Sequence, residues 1–230
     1  MKKTYLLLIA VLFAVVLTAC NSDKDKEKDT KQADMEKLEV TDAEKVANDK
    51  VVLEVNDEKV NGNKYNTAYI QTKMRLYQIG QDIDDLEQVK DKTLDELIAQ
   101  ELLRQEIENK GFSVSNKDVD AEYEAIKKEN GDQLKAYLKE FSMTEDDFKE
   151  QVKYSLALEK YLDKEVKTPK VSDKEIKDMY DKLKENNDDI PEYKDVADII
   201  KEQLEQQKKE EELKTIIDAL EEKAEVKKLI

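Results

Sequence analysis

The stretch LIAQELLRQEIENKGFSVSNKDVDAEYEAIK, residues 97–127, decides the fold class, because it contains two helical patterns and the signals that separate them. Apolar residues recur at three- to five-residue steps before and after its centre, which is the spacing of one helix face. Gly111 supplies the left-handed conformation with which many helices end. Ser115, followed three residues later by Asp118, resembles a capping box. The stretch therefore predicts two amphipathic helices joined by a short loop.

The sequence on both sides continues in the same way. Predicted helices begin after Asn61 or Asn63, near Leu86, at Ser115, after a break at Gly131, at Thr144, at Ser172 and at Pro191. Ser172 and Glu175 form a full capping box. The last helix is the longest, and it has no apolar residue from Glu205 to Glu212. We expect both ends of this helix to pack while its middle passes through solvent.

Two short runs favour strands rather than helices. They are VVLEV at residues 51–55, and VKKLI at residues 226–230. Because few other segments could pair with the closing run, we expect it to pair with the first and to join the two ends of the folded part. The predicted fold class is mostly α, with a small β element of two or three strands.

The composition excludes many kinds of chemistry. The 230 residues include 56 acidic and 40 basic side chains, one Cys and no His, so that His-dependent nucleophiles and zinc sites are absent. Only 4 Gly and 2 Pro argue against β-sandwiches and barrels, which need frequent turns. The acidic Asp82-Ile83-Asp84-Asp85 segment lacks the spacing and the glycine of a calcium loop. We therefore expect no enzyme, no metal, and no binding of nucleic acid, which needs a basic patch.

The N-terminus has the pattern of an export signal. Lys2 and Lys3 precede an apolar run over residues 5–17, and small residues follow it. The run is shorter than the ~20 residues that a spanning helix needs. We assign residues 1–19 to a signal peptide. Its removal takes away two Lys and changes the formal charge from −16 to −18.

The only cysteine follows this signal directly. LTAC at residues 17–20 resembles the lipobox of bacterial lipoproteins, and the alternative is an incidental cysteine at the end of an ordinary secretion signal. The resemblance implies diacylglycerol on the Cys20 thiol and an acyl chain on its amino group, with no other cofactor. Residues 20–50 are dominated by charged and polar side chains and are predicted to be a lipidated, flexible tether. The acidic chain would then be held on the membrane by lipid alone.

The order of the elements resembles the SurA N-terminal domain, which also occurs in the PrsA-like foldase lipoproteins. The resemblance covers residues 51–230 as one helical chaperone domain and is carried by VNDEKVNGNKYNTAY (55–69), the 97–127 stretch, FSMTEDDFKEQVKYSLALEKYL (141–162), VSDKEIKDMYDKL (171–183) and the segment 190–230. In the foldases a parvulin prolyl isomerase domain stands between the last two segments. Here that interval is only residues 185–190, and the histidines of the parvulin site are missing. The resemblance therefore implies a chaperone without isomerase activity.

These observations predict an ATP-independent holdase, anchored on the extracytoplasmic face of the cell membrane of a Gram-positive bacterium, that binds unfolded or nascent secreted proteins. The alternative is an envelope lipoprotein scaffold that grips one specific folded partner. Tyr123, Phe148 and Tyr161 lie at helical spacing with aliphatic residues and are expected in the core. The candidate client-binding side chains are Tyr69, Met74, Tyr77, Phe141 and Met143.

Overall fold

A computed structural model describes residues 40–166, 170–187 and 190–230. The proposed signal peptide, Cys20 and most of the tether lie outside these residues. Within them the predicted fold class is confirmed, with six helices and a three-stranded antiparallel sheet. The helices are α1 (Gly62–Gln78), α2 (Leu86–Asn109), α3 (Asn116–Glu140), α4 (Glu145–Glu165), α5 (Asp173–Asn186) and α6 (Tyr193–Glu221). The strands are β1 (Val51–Val55), β2 (Glu58–Asn61) and β3 (Val226–Lys228).

The sheet joins the two ends of the described chain, as the sequence predicted. Strand β1 is central, and it pairs antiparallel with β2 on one side and with β3 on the other. Val55 lies opposite Val226 in this register. Asn56 turns the chain between β1 and β2 with a φ of 55°, and its side chain accepts a hydrogen bond from the backbone of Glu225 at 3.1 Å. Asparagine tolerates this left-handed conformation better than most residues do.

The helix ends follow the local signals closely. The Ser172–Glu175 capping box is confirmed, since each side chain accepts a hydrogen bond from the other residue's backbone N–H. Gly111 follows α2 with a φ of 80°. The predicted break near Gly131 is present as a kink at Asn130, where a φ of −125° and a ψ of 24° divide α3 into two helical segments. The apolar side chains before and after the kink belong to one core cluster.

The core consists of three clusters. The sheet cluster lies between the sheet, α1 and the first half of α2. The central cluster joins the end of α2 to α3 and α4, and includes Tyr123, Phe148 and Tyr161 as predicted. The hairpin cluster lies between α5 and the first half of α6. Helix α6 contributes to all three clusters. Its first half packs in the hairpin cluster and its last turns pack against the central and sheet clusters, so both ends are packed as expected.

The predicted tether ends at residue 50, but the folded part of the structure begins before that residue. Residues 40–50, which we call the N-terminal strap, pack against α1. The backbone N–H of Gly62 donates to the carbonyl of Lys50 at 2.7 Å. The side-chain amide of Asn66 both accepts from and donates to the backbone of Val46, at 3.0 and 2.8 Å. The polar composition of the strap predicted a flexible segment. The residues that hold it in place lie on α1, in another part of the sequence.

Candidate binding groove

An open groove of about 680 Å³ lies between α1, α2 and α4, next to the loop that connects α2 to α3. Its inner surface is apolar, because the residues deepest in it belong to the core. These buried lining residues are Val60, Leu97, Ile107, Val114, Met143 and Ala157. Ligand sites in proteins commonly have volumes of about 300–1,000 Å³ and a mostly apolar lining with a few polar groups. The groove has the size and character of such a site.

A partly buried ion pair lies in one wall of the groove. Glu101 is 6% exposed, and its carboxylate accepts two hydrogen bonds from the guanidinium of Arg104, at 2.5 and 2.9 Å. Arg104 also donates to Glu108 at 2.7 Å. The hydrogen bonds to Glu101 are the main cause that raises the pKa of Arg104, so its charge is permanent. The three charged side chains are therefore paired with one another along α2.

The opposite walls are tied together by a polar contact between distant parts of the chain. Asn63 of α1 donates its side-chain amide to Asp147 of α4 at 3.1 Å. Asp147 is also the acidic member of the capping box with Thr144. The contact therefore holds the start of α4 against the start of α1 and keeps the groove at a defined width.

Four uncharged polar side chains in the groove have no hydrogen-bond partner among the described residues. They are Gln100 on α2, Ser113 in the loop between α2 and α3, and Gln151 and Tyr154 on α4. Burial raises the pKa of Tyr154, and the negative charge of Glu101 raises it further. The phenol is therefore protonated over the physiological pH range and can donate a hydrogen bond. These groups are available to a bound molecule.

The groove is nearly neutral although the protein is strongly acidic. Its charged lining residues are the cations Lys64, Arg104 and Lys153 and the anions Glu101, Glu108, Asp147 and Glu150. Three cations and four anions give a formal charge of −1, whereas the whole chain carries −16. The groove therefore does not select strongly for a ligand of either sign.

The structure corrects the expectation that the five candidate side chains are presented at the surface. Tyr69 is 1% exposed and donates its hydroxyl to Glu44 at 3.1 Å. Phe141 is 6% exposed and packs on Tyr137, with ring centroids 4.5 Å apart. Met143 is also buried, but it lines the groove.

The remaining two candidates are half-buried. Met74 packs against the central cluster and Tyr77 against the sheet cluster. Neither lines the groove. These side chains lie on helix faces with polar neighbours, which suggested exposure, but partners distant in sequence cover them.

Met143 is the one predicted candidate that lines the groove, and the other lining residues gave little signal in the sequence. Gln100, Gln151 and Tyr154 each follow or precede a charged residue and therefore resemble members of a solvated helix face. Only the packing of α2 against α4 brings them to one groove. Within the described residues, no group of three or more Cys, Asp or Glu is placed to hold a metal ion. In the same ranges no helix combines the length and the apolar character that crossing a membrane requires.

The fold and the groove define a mostly helical module in which a small sheet closes the chain and an open groove lies beside it. The chain belongs to the SurA-like N-terminal domain family, whose model matches residues 1–162. This assignment confirms the resemblance stated above.

The chain is also similar to proteins named foldase protein PrsA. It is 30% identical to the protein of Caldanaerobacter subterraneus subsp. tengcongensis over 198 residues, which are 81% of this chain and 54% of that relative. Foldase protein PrsA 2 of Bacillus cereus is 33% identical over 81 residues, covering 35% of this chain and 27% of the relative. The corresponding protein of Listeria innocua is 36% identical over 92 residues, or 40% and 30% of the two chains. The chain thus spans about half the length of the first relative and less than a third of the others.

Proposed function

We propose that the groove binds extended segments of unfolded exported proteins and keeps them from aggregating, without nucleotide and without prolyl isomerisation. The observation that carries this proposal is the open, nearly neutral groove with an apolar lining and an adaptable rim. Unfolded chains expose apolar side chains that folded proteins bury, and such side chains gain free energy when the groove removes them from water.

The rim suits clients of varied sequence. Lys64, Gln100 and Glu150 are exposed, and Lys153 is half-buried, so that long side chains surround the opening. Binding surfaces that can rearrange flexible side chains accept many partners, whereas specific interfaces also contain groups that repel the wrong partners. This difference favours a holdase over a scaffold that grips a single folded partner.

The comparisons support the folding-related part of the proposal. The relatives are named foldases, and the chain shares their SurA-like N-terminal domain. The connection between α5 and α6 consists only of residues 187–192, and the sequence contains no His. Both facts support a chaperone function without the isomerase reaction.

We place the protein on the extracytoplasmic face of the cell membrane, held by lipid on Cys20. The strap begins twenty positions after Cys20, and its Asn48 accepts a hydrogen bond from the backbone of Asn63, a groove residue. The anchored end of the chain would therefore reach the domain beside the groove. Such an arrangement would present the groove to proteins that emerge from the membrane.

Suppression of aggregation tests the proposal. Light scattering by an unfolding client is followed with an equimolar amount of the purified full chain, and a detergent blank serves as reference. We expect suppression by the wild type and by Gln133→Trp, and weaker suppression by Gln100→Trp. Both positions are exposed, but only Gln100 lines the groove. Gln133→Trp therefore controls for the apolar surface that a tryptophan adds. No suppression by the wild type, or equal suppression by both variants, would contradict the proposal.

A crosslinking experiment separates the two classes of function. A holdase crosslinked in cells and then isolated carries many exported proteins in unfolded form. A scaffold carries one dominant folded partner in a fixed ratio, and that result would favour the alternative.

A further inference from the structure

The groove contains two kinds of polar group, which differ in whether they already have partners. The buried carboxylate of Glu101 is saturated by Arg104 and by the side-chain amide of Gln105, and Asp147 is engaged by Asn63 and Thr144. Gln100, Gln151 and Tyr154 have no hydrogen-bond partner among the described residues. These three unpaired groups are uncharged, and both walls contribute to them, whereas the unpaired charged side chains Lys64, Glu150 and Lys153 belong to the more exposed rim.

The unpaired groups match the chemistry of a peptide backbone. A glutamine amide offers two donors and one acceptor atom, and a tyrosine hydroxyl both donates and accepts. Each residue of an extended chain, proline excepted, presents one N–H donor and one C=O acceptor, whatever its side chain. A backbone that enters an apolar groove loses water and needs replacement hydrogen bonds. The three side chains can supply them.

Their placement allows contact with one bound segment from two sides. Gln151 and Tyr154 are three positions apart on α4, and therefore lie on the same helix face. Gln100 lies on α2, four positions before Arg104, and all of these residues line the groove. The formal charge of −1 leaves little selection for charged client side chains.

From these observations we propose that the groove recognises the main chain of its client, through hydrogen bonds from Gln100, Gln151 and Tyr154 to the peptide groups of an extended, uncharged segment. This inference rests on the proposed holdase function and specifies what that function recognises. It explains how one groove can serve clients with unrelated sequences, since the backbone is common to all of them.

A pair of peptides with identical side chains tests this inference. Both are fluorescein-labelled, uncharged and rich in aliphatic residues, and one contains ester bonds in place of several peptide bonds. An ester lacks the N–H donor and is a weaker acceptor. Affinity for the full chain is measured by fluorescence anisotropy. We expect the ester peptide to bind wild type about two- to tenfold more weakly for each hydrogen bond lost.

Isosteric variants assign the effect to the three side chains. The combined variant Gln100→Met, Gln151→Met, Tyr154→Phe roughly keeps the volume of the groove and removes the hydrogen-bonding atoms of these three side chains. We expect it to bind both peptides equally, and more weakly than wild type binds the amide peptide. Gln133→Met, outside the groove, should retain the wild-type discrimination.

The outcomes separate this inference from the proposed function. Equal affinity of wild type for the two peptides overturns main-chain recognition and leaves a holdase that binds by apolar contact. Discrimination that persists in the combined variant assigns recognition to other residues and also overturns the inference. If wild type binds neither peptide, the proposed function and the inference both fail. Because the peptide comparison uses wild type, it holds even if the combined variant does not fold.

Discussion

The Nζ atom of Lys73 lies 2.6 Å from Oε1 of Glu44, and the two side chains are only 6% and 2% exposed. Glu44 belongs to the N-terminal strap and Lys73 to α1, so that this ion pair fastens the strap to the domain. Tyr69 donates to the same carboxylate oxygen, and Thr41 donates to the other one. Burial alone would raise the pKa of Glu44, but the hydrogen bonds from Lys73 and Thr41 hold it below its usual value.

Removal of the Glu44 charge should release the strap. We expect Glu44→Gln to destabilise the protein by about 3 kcal/mol, because the buried ammonium of Lys73 loses the negative charge of Glu44. Hydrogen exchange of residues 40–50 should become faster, and urea unfolding should shift to lower concentration. The double variant Glu44→Gln, Lys73→Met should recover part of the loss. Unchanged exchange in the strap of Glu44→Gln would refute its fastening role.

Gly62 should be essential to the strap for a steric reason. A Cβ atom at this position would clash with the carbonyl oxygen of Ala47 and with a methyl group of Val46. We expect Gly62→Ala to cost about 2 kcal/mol of unfolding free energy. Gly131→Ala is the matched control, because its Cβ meets no atom within 4 Å. The control should be neutral or stabilising by up to about 1 kcal/mol, since alanine favours a helix. Equal effects of the two substitutions would contradict this account.

The start of α5 should be weakened by acid. Hydrogen bonds from Lys208 and from the backbone and hydroxyl of Ser172 lower the pKa of Glu175 to about 2. Its contribution to stability is therefore complete above the unfolded value of 4.5 and is lost as the pH falls towards 2. The difference in thermal midpoint between wild type and Glu175→Gln should shrink over this range. A difference that stays constant from pH 5 to pH 2 would show that the Glu175 charge does not stabilise α5.

The sequence and the structure agree where the signals are local. The caps at Ser172 and Thr144 and the stop at Gly111 depend on residues within one turn, and they were predicted correctly. The pairing of β1 with β3 was also predictable, because the described chain has so few β-branched runs. Tyr69 was placed at the surface wrongly, since its partner Glu44 comes from the strap. Phe141 was also placed there wrongly, although the ring of Tyr137 that packs on it lies only one turn earlier in α3. The polar groove residues could not be recognised before the helices were packed together.

The proposed anchor predicts a defined mass for the cellular protein. If residues 1–19 are removed and Cys20 is acylated, membrane-extracted protein should have the mass of residues 20–230 plus that of the acyl groups. Cys20→Ala should either release the protein from the membrane fraction or leave its signal uncleaved. A wild-type mass without acyl groups would exclude the lipid anchor.

Site-specific photocrosslinking shows whether an unfolded client occupies the groove. A photoreactive amino acid replaces Gln100 in one sample and Gln133 in another, and each full chain is irradiated with a client in unfolded or native form. We expect crosslinks from position 100 to the unfolded client, and none from position 133 or to the native client. Equal crosslinking from both positions, or none from position 100, would contradict a client-binding groove between α1, α2 and α4.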